Sequence, residues 1–399
     1  MTGLLEPFFD PAEYPVRDPD RIASPRLLVF RTHVEGNIAR MRALLESAAP
    51  GSGFRHLRTH VKSCKSSWAV KRMLHAGITR FKATPNELSM LLDAGARDIF
   101  LAYPPLPPTA DAIARAIAQA LRFVPAAPSP FRLLAQISAP EHADALDRAA
   151  RRHGVTVEFL IDLDVGMGRT GIAPDRAPDL LRSVLAGPAG ERLRFAGLHA
   201  YEKHPAGAST ADGGEIVETS MGRLAACARA IRALGRPVEL IVAGGTPGFL
   251  PDLAWLLNDR TAEEIEVSPG TWVYWDSNYG LKMPGLFRPA ALIFARVMDV
   301  TGTDRITLDL GHKRWAIDHG PIEVFSREGL EVVATSEEHT VIRHTGCDAG
   351  CAQPLGIGES VLLVPRHVCP TVNLWEDFTL IGPRGEVEIA SCPVDGRNR

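Results

Sequence analysis

Cysteine is scarce in this chain, with six in 399 residues: Cys64, Cys227, Cys347, Cys351, Cys369 and Cys392. So sparse and irregular a set excludes a disulfide framework and leaves reduced thiols or a metal ligand. Positive charge is not in excess either, since 44 Lys and Arg stand against 47 Asp and Glu for a formal charge of -3. Nucleic acid and membrane surfaces are therefore not expected as partners. The opening "MTGLLEPFFDPAEYPVRDPDRIAS" lacks a basic stretch followed by an apolar one, and no segment approaches the roughly 18 apolar residues of a membrane span. A cytoplasmic protein is expected. Internal repeats and low-complexity tracts are also missing, which excludes solenoids and arrays.

What is present is a large apolar fraction, 45% of residues, in a chain too long for one ordinary core, so two domains are expected. After residue 25, short apolar runs such as "DIFLAYP", "RLLAQIS", "VEFLIDLDVG" and "ELIVAGGT" alternate with helical stretches that end near glycine, such as "PEHADALDRAARRHG". Continuous apolar strands between amphipathic helices imply parallel strands covered by helices. About eight such units predict a (β/α)8 TIM-type barrel over residues 28–285. From residue 286 the pattern changes to short strands and Gly/Asp/Pro turns, which predicts a mainly antiparallel β domain made of residues 1–27 and 286–399. "SPRLLVF" is expected to give that domain an edge strand.

Active sites of such barrels lie at the C-terminal strand ends. The polar residues there include Lys62, Lys82, Asp162, Arg169, His199, Tyr201, His204, Gly244, Gly245, Thr246, Ser268, Gly270 and Thr271. Lys62 in "RTHVKSCK" ends an apolar strand, where partial desolvation favours a neutral, nucleophilic amine suited to an imine. A solvated or ion-paired lysine is the alternative. "AGGTPG" and "SPGT", after strands seven and eight, let backbone N–H groups approach an anion where barrels often bind phosphate, although two tight glycine turns would read the same. Lysine and phosphate cup together describe a site for pyridoxal phosphate. In "RHVC", His367 and Cys369 stand two apart, which on a strand directs both side chains to one face. Imidazole and thiolate favour zinc, while a buried cysteine packed as a small hydrophobe is the alternative.

On these motifs the chain resembles the barrel-type pyridoxal-phosphate enzymes of the D-threonine aldolase and D-serine dehydratase family, distant relatives of alanine racemase. "RTHVKSCK" is similar to the family's R-P-H-V-K-[ST]-H-K, with Thr59 and Cys64 as departures, and "LIDLDVGMGRTGI", "GLHAYEKH", "AGGTPG", "SPGTWVYWD", "SEEH" and "RHVCPTVNL" follow in the family's order. The resemblance implies Lys62 as the imine lysine. It also implies that Arg169 approaches the cofactor's phenolic oxygen, that Tyr201 lies beside it, and that Gly244, Gly245, Thr246, Gly270 and Thr271 hold its phosphate. Ser268 stands where racemases carry an arginine facing the pyridine nitrogen, which counts against racemisation. His367 and Cys369 become the metal pair, for zinc or, alternatively, manganese or magnesium.

The implied activity is a lyase on D-3-hydroxy amino acids, with D-threonine aldolase-type retro-aldol cleavage to glycine and an aldehyde placed first. D-serine or D-3-hydroxyaspartate dehydration is the alternative, and Cys369 leans toward it. A racemase and a pyridoxal-phosphate homeostasis protein come behind both. Lys62, His204, His199 and His339 are the candidate bases, and a homodimer is expected.

Overall fold

A computed structural model of the chain describes residues 10–123, 130–202, 210–324, 329–344 and 355–397. The chain divides into two compact units, one made of Met1–Met41, Lys62–Arg72 and Thr271–Arg399, the other of Arg42–Val61 and Met73–Gly270. The first strand, β1 (Arg26–Phe30), lies in the three-segment unit.

The other unit holds eight parallel strands: β2 (Thr59–His60), β3 (Arg80–Ala83), β4 (Asp98–Leu101), β5 (Arg132–Ile137), β6 (Val157–Leu163), β7 (Leu193–Ala200), β8 (Leu240–Ala243) and β9 (Glu264–Val267). They pair in chain order, and a parallel bridge between Leu57 and Val267 joins the last to the first, giving the expected (β/α)8 barrel. Phe100, Leu134, Leu160, Ala196, Leu240 and Val242 form a cluster sealed from water. Burying each large apolar side chain contributes roughly 1.5–3 kcal/mol, so these residues supply much of what holds the ring together.

The N-terminal strand ends carry an ion network. Arg58, fully buried, donates to Glu266 and to Asp98 (2.8 Å), while Arg80 adds a second cation 3.2 Å from Glu266. Burial alone would lower the affinity of Arg58 for its proton, but the two carboxylates more than offset it and hold the guanidinium charged.

In the three-segment unit, β1 is joined by β10 (Ala291–Thr301), β11 (Arg305–Leu308), β12 (Glu323–Val324), β13 (Leu330–Thr335), β14 (Thr340–His344), β15 (Ser360–Val364), β16 (Asp377–Ile381) and β17 (Val387–Pro393). The main path runs β13-β14-β11-β10-β1-β16-β17, with β15 pairing β10 and β12. The sheet is mainly antiparallel, as expected, but β1 is not its edge. It pairs antiparallel with β10 (Arg26 opposite Phe294) and parallel with β16 (Leu28 opposite Thr379). The physical reason lies in its composition: "LLVF" is a continuous apolar run, buried throughout, as a strand covered on both faces requires.

Candidate active site

At the end of β2 the chain enters the short turn Val61–Ser63, which presents Lys62 and leads into the three-segment unit. Ser63 Oγ lies 3.0 Å from Cys369 Sγ, and Thr271 Oγ1 lies 3.7 Å from the same sulfur. Burial would raise the Cys369 pKa, but a hydrogen bond with His367 and the charge of Lys62 outweigh it and draw the thiol down toward thiolate. His367 moves the other way, up to about 9, because Cys369 and Asp318 outweigh the cost of burying its charge. Its Nδ1 is 2.6 Å from Asp318 Oδ2. Imidazole and thiol thus form a polarised pair, and a divalent ion would bind by displacing their protons.

The H-x-C segment is not a strand. His367 is the N-cap of the helix Val368–Asn373, so the two side chains meet by the turn at a helix start instead of by strand alternation. Pro370, which is tolerated in the first turn of a helix and disfavoured inside a sheet, carried that signal. Asp276 fixes the turn: its Oδ2 accepts the Val368 N–H at 3.2 Å and its Oδ1 accepts the Tyr279 N–H at 3.0 Å. Burial lifts the Asp276 pKa to about 6 against the pull of those two N–H groups.

In the barrel unit, a buried chain of polar groups runs across the strand ends. Gln136 Nε2 donates to Asp162 Oδ2 (2.8 Å), His199 Nδ1 lies 2.6 Å from Asp162 Oδ1, and Lys82 Nζ lies 2.8 Å from His199 Nε2. An ammonium can only donate, so Nε2 accepts and the single imidazole proton sits on Nδ1, facing Asp162. Burial and the Lys82 charge push the His199 pKa down to about 4, against the pull of Asp162.

Beside this chain, the Tyr201 ring lies 5.2 Å from the Arg169 guanidinium and 5.8 Å from Lys82 Nζ. Gly244 has φ +73, and a Cβ on Gly245 would come within 2.6 Å of Tyr201 Cε2, so the turn must be bare backbone. Thr246 Oγ1 accepts the Gly270 N–H at 3.2 Å, tying the two glycine turns together. Such a bare, buried turn fits a phosphate group approaching peptide N–H groups. Ser268 Oγ donates to the Arg58 carbonyl (2.8 Å) and is an uncharged side chain at the end of β9. Glu202 and Asp252 are both buried, and burial raises both pKa values, with Glu202 raising Asp252 further.

The sequence-derived candidates thus fall into two groups. Lys62, Thr271, His367 and Cys369 gather in one unit, whereas Arg169, Tyr201, Gly244, Gly245, Thr246, Ser268 and Gly270 belong to the other. His339 is exposed on the turn between β13 and β14, where its carbonyl accepts the Ser336 N–H at 2.8 Å. His204, Cys347 and Cys351 lie outside the described residues.

Residues 33–278 match the family described as "Alanine racemase, N-terminal domain". The chain belongs to that family. Residues 290–381 of this racemase-family chain also match "Putative serine dehydratase domain". The chain is 27% identical over 369 residues to a D-threonine aldolase of Arthrobacter sp, covering 90% of this chain and 89% of that one. Two solved structures share the fold. D-threonine aldolase from Filomicrobium marinum superposes with a TM-score of 0.81 at 24% identity, over 97% of this chain and 99% of that one. D-threo-3-hydroxyaspartate dehydratase from Delftia sp. HT23 gives 0.74 at 20% identity, over 93% and 97%. These relatives are aldolases and dehydratases, which are lyases, and the alanine racemase family implies pyridoxal phosphate together with, in this branch, a metal. No helix among the described residues is long and apolar enough to cross a membrane.

In the sequence Lys82, Asp162 and His199 stand out only as separate strand-end residues, and Gln136, Asp276 and Asp318 do not stand out as site residues at all. The strand-end rule locates the first three without their partners. Asp318 stands 49 residues before His367, and no spacing rule links them.

Proposed function

We propose that the protein is a pyridoxal-phosphate- and divalent-metal-dependent lyase that cleaves D-3-hydroxy amino acids, with retro-aldol release of glycine and an aldehyde as its reaction. The observation that carries this reading is the placement of Lys62 in one unit with His367 and Cys369, where Ser63, its neighbour in the chain, lies 3.0 Å from the Cys369 sulfur. A lysine suited to an imine and a borderline-metal donor pair within one unit is what chemistry at a β-hydroxyl requires. Bound there, the cofactor supplies an electron sink at Cα and the ion a Lewis acid at the β-hydroxyl.

The chain's residues do the remainder. Lys62 would hold the cofactor through its amine and would be a candidate base. Gly244, Gly245, Thr246 and Gly270, which meet in the barrel unit, would take the phosphate through backbone N–H groups. Arg169, 5.2 Å from the Tyr201 ring, would supply a cation to the phenolic oxygen, and Tyr201 would lie beside the cofactor. Ser268, being neutral, would bring no cation to the pyridine nitrogen, which would disfavour racemisation. His367 and Cys369 hold the ion, and His204 and His339 are the further candidates for moving a proton. If that proton leaves the hydroxyl, the Cα–Cβ bond breaks; if it leaves Cα, hydroxide departs and a dehydratase results. Cys369 favours this second reading, since a thiolate suits zinc.

The purified protein should show the absorption band of a protonated imine, absent in Lys62→Ala. Incubated with D-threonine and with D-serine, with and without added Zn2+ or Mn2+, it should release glycine and acetaldehyde from D-threonine. Keto acid and ammonia would instead select the dehydratase reading. No band, or no product from either substrate at any metal level, would refute the proposal.

A further inference from the structure

Resting on the reading of His367 and Cys369 as the metal pair, we infer that Asp318 is the positioning residue of that centre: it fixes the tautomer and orientation of His367 and leaves only Nε2 for the ion. Asp318 Oδ2 lies 2.6 Å from His367 Nδ1, within the range of a short charge-assisted hydrogen bond. Two ligand atoms sharing one tetrahedral ion, each roughly 2.0–2.2 Å from it, stand about 3.3 Å apart. The Asp318–His367 contact is therefore too close to bracket an ion and right for an N–H donating to a carboxylate.

With Nδ1 so occupied, a metal held jointly with Cys369 takes Nε2. A carboxylate on the far nitrogen of a ligating imidazole locks the ring and raises its basicity. The geometry also contains a rival arrangement. His319 Nε2 lies 3.9 Å from Asp318 Oδ2, its ring centroid is 4.6 Å from that of His367, and ligand atoms of Asp318, His319 and His367 all fall within 4.8 Å of one another. In that case Asp318 and His319 would be ligands themselves and Cys369 would not. The 2.6 Å contact, too short to span an ion, favours the positioning role.

The test is made on the full-length holoenzyme stripped of metal, with Zn2+ affinity measured against a chromophoric chelator and Co2+ binding followed by the thiolate-to-cobalt charge-transfer band. The Asp318 side chain is half exposed (48%), so its variants should fold, and circular dichroism confirms that they do. Asp318→Ala should weaken Zn2+ binding about 10–100-fold and keep the thiolate band at saturation. Asp318→Asn, which can still accept from Nδ1–H, should recover part of the loss, while His319→Ala should bind as wild type. Unchanged affinity in Asp318→Ala overturns the inference. So does a loss in His319→Ala equal to that in Asp318→Ala with no thiolate band in the wild type, which moves the ion into the Asp318–His319–His367 cluster. A failure of the metal-pair reading has a different signature, namely a wild type that binds no ion, or a Cys369→Ser protein that binds Zn2+ unchanged, and it removes the inference as well.

Discussion

Acidification places a proton on His199 in the unfolded chain well before it can in the folded one. The ordinary histidine value of 6.5 falls to about 4 in the barrel, first because burial penalises the cation and then because Lys82 lies 2.8 Å from Nε2. Between those two pH values the unfolded state binds the extra proton, so stability declines as pH drops. Above 6.5 the full contribution is present, and below about 4 nothing more is lost from this group. At roughly 1.4 kcal/mol per pH unit the gap amounts to about 3 kcal/mol. His199→Gln is the informative variant, because an amide can donate toward Asp162 and accept from Lys82 without titrating. Urea unfolding of both proteins is followed from about pH 7.5 down to about pH 4, the window in which such a buried histidine takes up a proton on unfolding. The wild type should lose its margin over the variant across that window. A histidine-labelled NMR titration should find the His199 midpoint near the bottom of that window, at about 4. A stability difference that stays flat with pH, or a resonance titrating near the ordinary value, would refute the reasoning.

Other perturbations reach different parts of the molecule. Glu266→Ala leaves the fully buried Arg58 without its nearest carboxylate and should cost about 3–5 kcal/mol, read from the denaturation midpoint. Gly245→Ala drives a methyl into the Tyr201 ring, 2.6 Å away, and should weaken retention of pyridoxal phosphate, measured by dialysis and absorbance, more than it lowers stability. Asp276→Ala removes the acceptor of the Val368 and Tyr279 N–H groups, should cost about 1–3 kcal/mol, and should weaken binding of an added divalent ion by loosening the turn that carries His367 and Cys369, read by titration with a chromophoric chelator.

The barrel was legible because its strands announce themselves: "LRFAGLHA" and "VEFLIDL" are apolar runs flanked by glycine-ended helices, and local pattern suffices to place them. Lys62, the glycine turns and the His367–Cys369 pair could be named as candidates from sequence because their chemistry is concentrated in short motifs. The central placement of β1 was not legible, since strand order depends on partners hundreds of residues away. For the same reason Asp318 and Asp276 escaped notice. Each is a lone acid in sequence, and only folding brings one to an imidazole and the other to a helix start. "RHVC" misled for a local reason: spacing by two suggests a strand, and the proline that argues otherwise follows it.

The place of β1 bears on how the chain can be made. Its neighbours β10 and β16 are synthesised hundreds of residues later, so "RLLVF" leaves the ribosome as an apolar segment with no sheet to enter, while the barrel strands that follow can already pair with one another. Closing so long a loop comes at an entropic cost that only the completed sheet repays, which makes the three-segment unit the slower to assemble. Protein expressed without Arg26–Phe30 would carry a gap between β10 and β16, two exposed edges in place of a filled centre, and such edges invite pairing between molecules.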